Sequence, residues 1–195
     1  MRLSFFLAMI LAAPPAWADA LQDGTSAYQR GDYKAALDAW KPLADKGNAL
    51  AQNNLGILYL DGTGVVQNLP QAVHYLSLSA ASGSALGQNN LGGLYREGKG
   101  VPCDYVLAAR WFTASAGQGN AAAMYNLGLM YEMGQGMKAE PFHAYMWYAL
   151  AAETNTVPNA AAHREALWGR MTAAAQKQAR ELVTVCKSKS YKGCA

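Results

Sequence analysis

The sequence predicts an all-α fold, an α-solenoid of stacked antiparallel helix pairs with a period of 36 residues. Three observations predict it. Asn54-Leu55-Gly56 returns as Asn90-Leu91-Gly92 and as Asn126-Leu127-Gly128, each time 36 residues on, and an internal period of this size marks a repeat architecture. The glycine pairs Gly62/Gly64, Gly98/Gly100 and Gly134/Gly136 keep the same register, as do Tyr59, Tyr95 and Tyr131. The chain is 52% hydrophobic and 15% charged, with alanine spread over its length. That composition can bury a core and excludes a disordered tail.

At the N-terminus Arg2 precedes the apolar stretch Leu3 to Ala13, which is followed by Pro14-Pro15 and Ala16-Trp17-Ala18. This is the layout of a secretory signal peptide, residues 1–18, cut after Ala18. Asp19 rather than cysteine follows the cut, which argues against a lipid anchor. No later apolar run is long enough for a transmembrane segment. The predicted destination is the periplasm or the exterior, where disulfides form. Residues 19–48 then read as a diverged N-terminal helix pair, carrying Gly31-Asp32-Tyr33, Ala36 and Trp40.

Three full units follow, 49–84, 85–120 and 121–156. In the first, Ala51, Leu55, Leu58 and Tyr59 have helical spacing and predict a helix over 49–61. Glycine ends it, because glycine accepts a positive φ without strain. The second helix begins at Asn68, Asp104 or Glu140, with Pro141 in the first turn of the third copy. It carries Tyr75, Trp111 and Trp147 at one register, expected in the core. Gly56, Gly92 and Gly128 fall inside the first helices, where glycine costs about 1 kcal/mol against alanine. Its return at every turn of the repeat points to a close helix–helix contact.

The run Ala49 to Tyr59, then Gly62-Thr63-Gly64-Val65, then Gln71-Ala72 and Leu76, resembles the Sel-1-like repeat, a branch of the tetratricopeptide superfamily. The third copy resembles it too, through Ala123-Met124-Tyr125-Asn126-Leu127-Gly128 and Trp147-Tyr148. The resemblance implies a right-handed solenoid whose first helices line a concave, partner-binding surface. Segment 157–195 departs from the pattern. Pro158 interrupts the chain, and 160–168 and 171–186 read as a last helix pair that caps the stack before a basic tail. Cys186 and Cys194 flank the polar segment Lys187 to Gly193 and are expected to form a disulfide. Cys103 is left over.

No catalytic constellation emerges. The G-x-G pairs lack a third glycine and a preceding strand, and neither G-x-S-x-G nor H-E-x-x-H occurs. His74, His143 and His163 sit at positions unlike those of the other copies. No metal, cofactor or nucleic acid is expected; a net charge of +3 is too mild for the last. Asn54, Asn90 and Asn126, polar in every unit, are expected to bond the backbone of a neighbouring element.

Positions that pack should recur while free positions drift. On the first helices the drifting stripe includes Asn53, Ile57, Leu60, Asn89, Arg96, Tyr125, Leu129 and Glu132. It covers an arc of about 80°. The expected function is therefore a non-enzymatic scaffold binding a protein or peptide on this stripe. The alternative is weak β-lactam binding or hydrolysis, or cell-wall-glycan binding. Cysteine-rich relatives linked to β-lactams carry a cysteine pair separated by seven residues in each repeat; here that spacing occurs once, at Cys186 and Cys194.

Overall fold

A computed structural model of the chain describes residues 16–194. Ten helices and no strand make up the described residues: α1 (Ala16–Gln29), α2 (Tyr33–Asp45), α3 (Ala49–Asp61), α4 (Leu69–Ala81), α5 (Ala85–Glu97), α6 (Tyr105–Ala116), α7 (Ala121–Met133), α8 (Pro141–Glu153), α9 (Ala160–Arg170) and α10 (Ala173–Ser188). The expected signal peptide lies largely outside the described residues, and its last three positions, 16–18, open α1.

Each helix starts and stops where its sequence provides for it. Asn48, Ser84 and Asn120 cap the first helices, accepting from the backbone N–H three residues on. Gly62, Gly98 and Gly134 end them in the left-handed conformation. Asn68 and Asp104 cap α4 and α6, whereas Glu140 makes no side-chain cap and α8 relies on Pro141. Helices pack as α1–α2, α3–α4, α5–α6 and α7–α8, and each second helix packs on the first helix of the next unit. The α-solenoid is thus the observed fold.

Packing turns on one register. A Cβ on Gly56 would lie 2.6 Å from Leu76 Cγ, on Gly92 2.9 Å from Phe112 Cε1, and on Gly128 2.5 Å from Tyr148 Cδ1. The bare glycine therefore receives the large side chain at 76, 112 or 148, all fully buried. Gly24 meets Trp40 in the same way, so α1 and α2 form a true unit of the stack. The core register lies one residue after the expected one: Tyr75 and Trp147 are buried, but Trp111 is only half-buried. Ser79 and Ser115 hold each pair together by donating to Ala49 O and Ala85 O at 2.7 and 2.6 Å.

The C-terminal segment forms two further helices, α9 and α10. α9 and α10 both pack on α8 and meet each other at Trp168, whose backbone oxygen accepts from Gln176 Nε2 at 3.0 Å and whose ring lies 4.5 Å from the Arg180 guanidinium. α9 continues the series of first helices, while α10 covers the outward side of α8. Met146, Ala149 and Leu150 are buried there, where the equivalent His74 and Leu78 of α4 are exposed. Lys187 ties α10 to Glu153 at 2.9 Å. Cys186 and Cys194 are disulfide-bonded, and Tyr191 between them approaches Gly117 and Gly119 in the α6–α7 turn. Cys103 is a free, exposed thiol.

Candidate functional site: the face of the first helices

First helices α3 and α5 touch directly across successive units, a contact that their partners α4 and α6 do not match. α3 and α5 are therefore drawn closer together than α4 and α6, on the side where the first helices lie. Along this side runs a chain of side-chain hydrogen bonds. Arg96 Nη1 donates to Asn126 Oδ1 at 2.8 Å, and Asn126 Nδ2 donates to Asn89 Oδ1 at 3.1 Å. Asn89 Nδ2 donates to Asn90 Oδ1 at 3.2 Å, and Asn90 Nδ2 to Asn53 Oδ1 at 2.8 Å. Asn53 Nδ2 donates to Asn54 Oδ1 at 3.4 Å. The chain crosses α3, α5 and α7.

This corrects two expectations. Asn54, Asn90 and Asn126 engage the side chains of Asn53, Asn89 and Arg96, not a neighbouring backbone. The drifting stripe is also not free of packing. Asn53 is buried at 3% exposure, and Ile57, Leu60, Asn89, Arg96, Tyr125, Leu129 and Glu132 are all half-buried. Drift at these positions reflects different contacts in each unit rather than none.

Two concavities flank the amide chain. Thr25, Tyr28, Trp40, Asn54 and Ile57 line one of about 180 Å³ at its N-terminal end. Leu60, Asn89, Gly93, Arg96, Lys99 and Asn126 line another of about 230 Å³. In the second, Lys99 approaches Glu97 at 2.7 Å and Arg96 approaches it at 3.3 Å. The Lys99 hydrogen bond, with help from Arg96, holds the Glu97 carboxyl below the usual carboxylate range. Arg96 and Lys99 thus face Glu97, and the Asp61 carboxylate also acts on Lys99.

At the C-terminal end the stripe closes on itself. The Tyr148 hydroxyl donates to Glu132 Oε2 at 2.8 Å, with His163 Nδ1 3.6 Å from the same oxygen. Arg170 Nη1 lies 3.5 Å from Glu132 Oε1. The rings of Tyr125, Tyr148 and His163 pack with centroids 5.0 to 5.5 Å apart. Burial foremost, and then the Glu132 carboxylate, push the Tyr148 phenol far above its ordinary pKa. It is a fixed neutral donor. Tyr125 and Glu132 thereby serve to seat α9.

Sequence reasoning missed Tyr28, Trp40 and Lys99 as groove residues, and placed Gly93 on the drifting stripe without naming it among the binding residues. Gly93 carried a visible signal, a glycine at a register held by Ile57 and Leu129 in the other units. No group of three or more His, Cys, Asp or Glu among the described residues could hold a metal. No described helix is long and apolar enough to cross a membrane.

The family model of the Sel1 repeat matches residues 49–84, 85–120 and 121–154, more than half of the chain. The chain belongs to the Sel1 repeat family. Among solved structures, c5321, a protective antigen of uropathogenic Escherichia coli strains displaying an SLR fold, aligns with a TM-score of 0.58 over 91% of this chain at 24% identity. That identity shows the fold alone, and this chain spans 47% of the length of c5321. A Sel1 repeat protein from Oxalobacter formigenes aligns with a TM-score of 0.59 at 34% identity, over 66% of this chain and 96% of that one. No curated protein sequence matches the chain. Sel1 repeat membership suggests an interaction scaffold in general.

Proposed function

We propose that this chain is an exported, non-enzymatic scaffold that binds a protein or peptide on the face of its first helices. The observation that carries this reading is the pair of concavities at Tyr28/Trp40/Ile57 and at Leu60/Gly93/Arg96, joined by a chain of amides of which Asn54, Asn89, Asn90 and Asn126 remain partly open to solvent. Tyrosine, tryptophan and arginine are the residue types enriched at the energetic centres of interfaces. Ile57 and Leu60 add apolar area between them. Export, with removal of residues 1–18, rests on the N-terminal layout and agrees with the Cys186–Cys194 disulfide. It would place the mature chain in the periplasm or outside the cell.

Gly93 provides the test. A Cβ built there meets nothing within 4 Å, so a longer side chain fits without strain and projects into the groove. Gly93→Gln should fold at least as stably as the parent and lose the partner in a crosslinked pull-down from the native compartment. Leu78→Gln, on the outward side of α4, should retain it. Loss of the partner by Leu78→Gln but not by Gly93→Gln would move the binding face to the second helices.

A further inference from the structure

Resting on that reading, we propose that the asparagine chain reads the main chain of an extended peptide segment, and that Arg96 is the positioning residue that sets its direction. A guanidinium can only donate hydrogen bonds. Arg96 therefore requires the Asn126 oxygen to face it, which turns the Asn126 nitrogen toward Asn89. The same constraint passes through Asn89, Asn90 and Asn53 to Asn54. One cation orients five carboxamides.

Each inner member of the chain spends one N–H and one lone pair and keeps one of each. Asn54 accepts and passes nothing on, so among the described residues both its N–H groups are uncommitted. Asn53 is buried, so the face offers the spare donors and acceptors of Asn126, Asn89 and Asn90 and ends in the Asn54 donors beside Trp40 and Tyr28. A helix satisfies its own main-chain groups and has no use for this surface; an extended segment carries unpaired N–H and C=O groups along its edge. Asn54 lines one concavity, and Asn89, Asn90 and Asn126 line the other. The first, walled by Tyr28, Trp40 and Ile57, takes an apolar side chain of the segment. The second, lined by Arg96, Lys99 and Glu97, takes a polar one.

The test uses the full chain and a displayed library of random unstructured peptides, counter-selected on Gly93→Gln. The selected peptide is then remade with single backbone N-methyl groups and, separately, with single alanines. N-methylation over the ladder should weaken binding roughly tenfold or more, while alanine there should change it little. Arg96→Met should weaken binding similarly and split the side-chain amide resonances of Asn89 and Asn126, with Arg96→Lys, still a pure donor, restoring both. Binding indifferent to N-methylation, yet abolished by Gly93→Gln, would overturn the main-chain readout and leave the groove standing. Failure to select any groove-binding peptide would overturn both. Equal displacement of the peptide by a β-linked N-acetylglucosamine oligomer would overturn it in favour of a glycan.

Discussion

Gly128 and Tyr148 form one contact in two halves: the helix backbone of α7 is bare where the ring of α8 lies, and a Cβ at 128 would sit 2.5 Å from Tyr148 Cδ1. The same relation joins Gly92 to Phe112 and Gly56 to Leu76. It accounts for glycine inside a helix in every unit. Gly92→Val should therefore destabilise the protein by about 1–3 kcal/mol through overpacking. Its neighbour Gly93 faces open space, and Gly93→Ala should stabilise by up to about 1 kcal/mol. Chemical denaturation of the two variants checks both signs. Two adjacent glycines with opposite outcomes would be hard to obtain from any model that assigns them one role.

Why the glycine contact was legible and the amide chain was not follows from their geometry. Gly92 packs within its own unit, and three aligned copies show that it recurs. Asn90 bonds Asn53 of the preceding unit, 37 residues away, one residue off the period, and a self-comparison at 36 does not pair them. The first unit was partly hidden for a simpler reason. Residues 30–32 alone join α1 to α2, where 62–68 join α3 to α4, so Gly24 falls out of register with Gly56 although both receive the same kind of side chain.

Tyr148 leads to a pH dependence. Burial raises its pKa above the unfolded value of about 10, and does the same to Tyr131 and Tyr145. Between the unfolded and folded values the native state holds the extra protons, so stability is fully present below about pH 10 and falls as pH rises above it. The slope is at most about 1.4 kcal/mol per pH unit for each tyrosine. Tyr148→Phe should flatten this decline while lowering stability at neutral pH, because Glu132 loses the hydroxyl that it accepts from. Denaturation midpoints of parent and variant at pH 7 and at alkaline pH decide the matter.

The tail gives a covalent prediction. Cys186 is 1% exposed and bonded to Cys194, while Cys103 is free and exposed. Thiol titration of the oxidised chain under denaturing, non-reducing conditions should count one thiol per chain. Reduction should lower stability by roughly 2–3 kcal/mol, as the chain-entropy model gives for so short a loop. It should also expose 187–194 to proteolysis, since the bond holds Tyr191 against the α6–α7 turn.

The last prediction concerns the outward side of α8. Position 74 in the first unit is histidine, position 110 is arginine and position 146 is methionine. Taken as a repeat position, 146 should be exposed like the other two. It is instead 1% exposed, near Leu182 and Cys186 of α10. Methionine at 146, with the buried Ala149 and Leu150 beside it, fits the cover that α10 provides. Met146→Ala should consequently cost about 2–5 kcal/mol, the usual toll of emptying a buried site. His74→Ala and Arg110→Ala, both at exposed positions, should stay within about 0.5 kcal/mol of the parent. Calorimetric melting of the three single variants tests this. A small effect at Met146 would mean that α10 is detached from α8 in solution, and the disulfide would then anchor a loose tail rather than a docked helix.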